Sequence, residues 1–125
     1  MEVDMLVAYW IVAGFLALTY LVVGGIKVAM DRQRLRAMWP WTGDLRPATV
    51  RLIGVLEILG ALGLVLPVLT GIAEWLAVAA AVGLVIVPLG GLVVHVRRGE
   101  GSQVAPNVVL AAVAVAAVWL GVAAL

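Results

Sequence analysis

Four long stretches of this chain carry almost no charge, and this limits what it can become. Met5 to Ile26 contains no Asp, Glu, Lys, Arg or His, and neither does Trp75 to Val94 or Val108 to Leu125. Between Arg51 and Glu74 the one charged residue is Glu57. At the helical rise per residue, stretches of this size cross a hydrocarbon layer of about 30 Å. Their apolar residues do not alternate with polar ones as in a half-buried strand. A spanning segment must also satisfy its own backbone hydrogen bonds, so helices are expected. Composition agrees: 66% of residues are hydrophobic and 12% charged, against about half and about a quarter in soluble domains. The sequence therefore predicts an all-α integral membrane protein. We expect one domain over residues 1–125, a four-transmembrane-helix bundle running up-down-up-down, with helices at about 5–30, 48–69, 73–95 and 106–125. Glu2 and Asp4 stand where a signal peptide would carry basic residues, so the first segment is expected to be retained as a span.

The connections differ in kind. Residues 70–74 make a tight turn, and 96–105 a polar loop with two glycines. The longest, residues 31–46, alternates basic side chains with Leu35, Met38, Trp39 and Trp41. It reads either as a segment lying in the membrane interface or as a solvated loop anchored by tryptophans.

All eight Lys and Arg residues lie on or beside the first and third connections. The positive-inside rule places those connections in the cytoplasm and both termini outside, in a cell-membrane protein. Trp10, Trp75 and Trp119 fall near the opposite helix ends, where an aromatic belt is expected.

Polar groups within the spans are few. Glu57 lies about 10 Å past Arg51, in the inner half of the bilayer. Gly54, Gly60 and Ala61 share its helix face, which should look into the bundle, because small residues favour helix contact in membranes. On the first span Tyr20, Gly24 and Lys27 form one stripe, with Tyr20 at a depth similar to Glu57. Lys27 either pairs with Glu57 or snorkels to the headgroups. Tyr20 either packs or hydrogen-bonds Glu57. On the third span Pro88 frees the Leu84 carbonyl, and His95, the only histidine, follows at the inner end. His95 is either an interfacial residue or part of a shared site with Glu57. Met38, Trp39 and Trp41 would cover the mouth of such a site. With no cysteine and one histidine, no metal or thiolate centre is expected. A net charge of +1 gives no basis for nucleic-acid binding.

Gly24-Gly-Ile-Lys27, Gly54-Val-Leu-Glu57-Ile-Leu-Gly-Ala-Leu-Gly-Leu-Val-Leu-Pro67 and His95-Val-Arg-Arg-Gly-Glu100 together resemble the DoxX-like family of small four-helix membrane proteins. The resemblance covers the chain from about Tyr20 to the start of the fourth span. It implies a four-helix bundle in which Lys27, Glu57 and His95 match the family's typical lysine, buried glutamate and histidine. It also implies an association with redox or quinone metabolism. No intrinsic cofactor is expected, and any oxidation step would need a borrowed one, with quinone the candidate. Two readings follow. In the first, Glu57, Lys27, Tyr20 and His95 line a site for a quinone or lipid headgroup, in a subunit serving a membrane or peripheral redox protein. In the second, Glu57 and Lys27 fix helix packing in a structural or assembly subunit, and homo-oligomers are compatible with either. An enzyme acting alone ranks third.

The orientation is directly testable. In intact cells an impermeant thiol reagent should label Thr70→Cys and leave Ser102→Cys unlabelled. The reverse pattern would invert the topology.

Overall fold

The computed structural model describes residues 2–125. Among them are five α-helices and no strand: α1 (Glu2–Ala29), α2 (Arg32–Met38), α3 (Pro47–Thr70), α4 (Trp75–Arg97) and α5 (Val104–Ala124). Short 3-10 turns, Pro40–Asp44 and Gly101–Gln103, precede α3 and α5. Four helices are long and apolar enough to cross a membrane, and α2 is the fifth, short one.

Local chemistry sets the boundaries. Asp31 caps α2 by accepting the Arg34 amide at 2.9 Å, as a helix N-cap should. Pro47 opens α3, where its missing N–H costs nothing. Gly71 ends that helix at φ 67°, a left-handed backbone that glycine adopts without strain. In α5, Pro106 falls within the first turn, where its missing donor is also harmless, so the helix begins at Val104.

α1 packs on α3 and α5, and α4 packs on the same two, so the long helices close a ring. Their inward seams repeat at intervals of three and four residues: Tyr9, Ala13, Leu16 and Tyr20 on α1, and Val50, Gly54, Glu57, Ala61 and Leu64 on α3. This is the spacing that keeps one helix face on its partners in a bundle. Glu57 therefore occupies a position otherwise reserved for core residues. α4 and α5 contribute mainly alanine to the core, at 77, 81, 114 and 117. The large aliphatics lie outside: Ile11, Leu18, Leu59 and Ile86 are each more than half exposed. Small residues inside and large apolar ones outside suit a protein whose outer solvent is lipid, where close backbone approach, not exclusion of water, drives helix association.

The tightest approach joins α1 to α3. A Cβ built on Gly24 would stand 2.7 Å from the Gly54 carbonyl oxygen, and one on Gly54 would stand 2.7 Å from the Gly24 oxygen. Nearer the other end of the pair, the Tyr9 hydroxyl donates to the Leu64 carbonyl at 2.6 Å.

Gly24→Ala and Gly54→Ala should each destabilise the bundle by about 1–3 kcal/mol, the range for overpacking a filled contact. Gly14→Ala, where a Cβ meets nothing within 4 Å, should be neutral or slightly stabilising. Unfolding titrations in mixed micelles would measure the three. Equal effects would show that the Gly24–Gly54 contact does not limit packing.

Candidate functional site

The close approach at Gly24–Gly54 brings the next turns of α1 and α3 together, and there Lys27 meets Glu57. Lys27 Nζ donates to Glu57 Oε1 at 2.7 Å, with both side chains almost wholly buried. Lys27 does not snorkel. Its four-carbon stem runs inward and the charge is held by three groups. Besides the carboxylate, the Trp39 and Trp41 ring centroids lie 5.4 and 5.6 Å from Nζ. An ammonium at that range is attracted by the electron-rich faces of indole rings. The tryptophans expected to cover a mouth thus also help to compensate the lysine charge.

A cavity of about 670 Å³ adjoins this pair. Lys27 and Glu57 line it together with Tyr20, His95, Met38, Trp39 and Trp41. All seven residues singled out in the sequence therefore meet at one cavity, although not with all the partners expected. Tyr20 does not bond Glu57: its buried hydroxyl has no hydrogen-bond partner. A tyrosine ring is rigid, so backbone position fixes the height of its hydroxyl, whereas the flexible lysine stem can reach the carboxylate. His95 does not bond Glu57 either. Its Nδ1 lies 3.0 Å from Glu100 Oε1, and the Glu100 amide donates to the His95 carbonyl at 2.9 Å, closing a local turn after α4.

Glu100 belongs to a polar chain that sequence reading missed. Arg98 Nε donates to the same Glu100 oxygen at 3.0 Å, and the Arg98 guanidinium also bonds Asp44, at the end of the 3-10 turn that holds Trp41. The α1–α3 connection is thereby tied to the α4–α5 connection. Hydrogen bonds from His95 and Arg98 hold the Glu100 carboxyl below its ordinary range. A lowered carboxyl contributes stability at neutral pH and loses it only as pH falls through the lowered value. Spacing gives no hint of the Asp44–Arg98 tie, which joins two loops far apart in sequence.

Pro88, Gly90 and Gly91 of α4 and Asn107 of α5 complete much of the remaining wall. Gly91 packs directly on Asn107 there: an added Cβ would stand 2.5 Å from Asn107 Oδ1 and turn that side chain away. Asn107 is itself anchored by donating to the Gln103 carbonyl at 2.8 Å. Most of the lining is apolar. Among the described residues no three of His, Cys, Asp or Glu group as a metal site would require.

Four apolar spanning helices around a polar site at one end define a small multi-pass membrane protein. The sequence profile of the DoxX-like family matches residues 11–117, and the chain belongs to that family. No curated protein and no solved structure matches it.

The Lys27–Glu57 pair generates a quantitative expectation. Glu57→Leu or Lys27→Met alone leaves a buried charge without its partner and should cost about 3–5 kcal/mol. The double variant should recover much of that loss, and a double-mutant cycle in detergent gives the coupling. Strictly additive effects would show that the two charges do not stabilise one another.

Proposed function

We propose that this protein is a ligand-binding membrane subunit whose cavity takes the polar head of an amphipathic molecule. The observation that carries the reading is the convergence of Lys27, Glu57, Tyr20 and His95 on one largely apolar cavity of about 670 Å³. That size lies within the range of small-molecule sites, roughly 300–1,000 Å³, which typically combine apolar walls with a few placed polar groups. The Tyr20 hydroxyl is a donor with no partner in the protein. Lys27 has three donor hydrogens, of which Glu57 takes one. A quinone or a lipid carbonyl supplies the accepting oxygens that these donors lack, and the indoles offer a flat apolar wall. When bound, a quinone would supply two-electron redox chemistry. The residues here would hold and orient its oxygens, in a subunit serving a membrane or peripheral redox protein.

The one-sided basic residues support an orientation in the cell membrane with the cavity end toward the cytoplasm and both termini on the other side. In that arrangement the helices run alternately up and down.

One observation favours a second reading. Lys27 and Glu57 satisfy each other at the tightest helix contact, which is what a register-fixing pair in an assembly subunit would do.

Tyr20→Phe separates the two. It removes a hydroxyl that bonds nothing in the protein, so stability should hold or rise. Ligand affinity should fall by a few-fold to about tenfold, the worth of one neutral hydrogen bond. Native mass spectrometry of the detergent-extracted protein should show a small-molecule adduct, weakened in the variant. Co-purifying polypeptides with no adduct would favour the assembly reading.

A further inference from the structure

We infer that the cavity opens sideways into the lipid between α3 and α4, and that its ligand has an uncharged, oxygen-bearing head and an apolar tail that leaves through this gap. The inference rests on the ligand-binding reading and specifies its ligand class and route.

Two helix seams are closed beside the cavity. α1 and α3 are sealed by the Gly24–Gly54 contact, where even one added carbon would strike backbone. α4 and α5 are sealed where Gly91 meets Asn107. Along the bodies of α1 and α5 the lining residues Tyr20, Val23 and Leu110 are buried or half-buried. The α3–α4 seam differs. It is tight at Gly63–Ala80 and Gly60–Leu84, where added carbons would stand 2.8 and 2.9 Å from their neighbours. Within the next two turns toward the cavity, lining residues become exposed. Leu56 on α3 is 53% exposed and Ile86 on α4 is 63% exposed, yet both line the cavity. Gly90 lines it as well, is exposed, and would meet nothing within 4 Å if given a Cβ. Residues that both line an internal space and face outward mark its rim. Here that rim lies within two helices that have the length and composition of membrane spans.

At the connection end Met38, Pro40, Gln103 and Pro106 also line the cavity and are exposed, beside Trp39 and Trp41, which flank Lys27, and loops tied together through Asp44 and Arg98. The cavity thus reaches the surface on both sides, and the α3–α4 gap is the opening bordered by apolar spans. The head's charge follows from the pairing. Lys27 is balanced by Glu57, the Arg98 guanidinium meets Asp44 and Glu100, and His95 Nδ1 hydrogen-bonds Glu100. A net charge on the head would be left uncompensated in an apolar cavity, so a neutral acceptor is preferred.

The test uses the full-length protein in lipid nanodiscs and two probes, a benzoquinone bearing a decyl tail and the same benzoquinone without it. Binding is read from quenching of tryptophan fluorescence. Gly90→Leu narrows the rim, and Gly83→Leu, on the same helix away from the cavity and likewise free of neighbours within 4 Å, controls for added bulk. Gly90→Leu should weaken the tailed probe about tenfold relative to wild type, and by several-fold more than it weakens the tail-less probe, with thermal stability unchanged; equal weakening of both probes would overturn the lateral route. Gly83→Leu should change neither. If the tail-less probe binds and Gly90→Leu leaves the tailed probe at wild-type affinity, the lateral route is wrong while the ligand-binding reading stands. If neither probe binds wild type, the quinone-like ligand class fails, and the lateral route assigned to it fails as well.

Discussion

The structure depends on holding a carboxylate and an ammonium inside an apolar bundle. Each alone would be expelled or neutralised, because hydrocarbon offers neither ion a replacement for water. At 2.7 Å they form a charge-assisted hydrogen bond, and two indoles supply further compensation on the lysine side. This arrangement requires that α1 and α3 approach closely enough for a lysine stem to span the gap. The glycines at 24 and 54 provide that approach. Backbone contact and ion pair are therefore one device: the first sets the distance and the second makes it specific.

The two halves of the bundle solve different problems. Away from the cavity, alanines and leucines fill the interior, and Tyr9 satisfies its hydroxyl on the Leu64 carbonyl. Near the cavity, the interior is not filled. Pro88, Gly90 and Gly91 leave little side-chain volume on α4, and the space is bordered by donors and acceptors. A bundle selected only for packing would gain by filling such a void, since interiors are normally close-packed. Retaining it beside an unpartnered hydroxyl is consistent with the proposed ligand.

Much of this was legible in the sequence because membrane spans write their positions plainly. Long uncharged runs mark the helices, and a lone acid among aliphatics identifies the residue that needs a partner. The stripe Tyr20, Gly24, Lys27 could be read because helical spacing puts residues three and four apart on one face. What stayed hidden was set outside regular structure. Trp39 caps and Trp41 lies within the 3-10 turn Pro40–Asp44, where no periodicity says which way a ring points. Asp44 and Arg98 lie on separate connections, and only the folded bundle makes them neighbours. His95 lines the same cavity as Glu57 but bonds a different carboxylate, for a related reason. A turn returns Glu100, five residues further on, to it, and a local carboxylate prevails over a distant one.

The Gly24–Gly54 contact also bears on how the chain enters the membrane. Segments made one after the other meet there, with only the α2 connection between them. The first two spans can associate before the rest of the bundle has been synthesised. Lys27 then need not wait for α4 or α5 to find a counter-charge, because its partner Glu57 lies on the very next span. The order of the residues along the chain thus shortens the interval in which either ion stands alone in lipid.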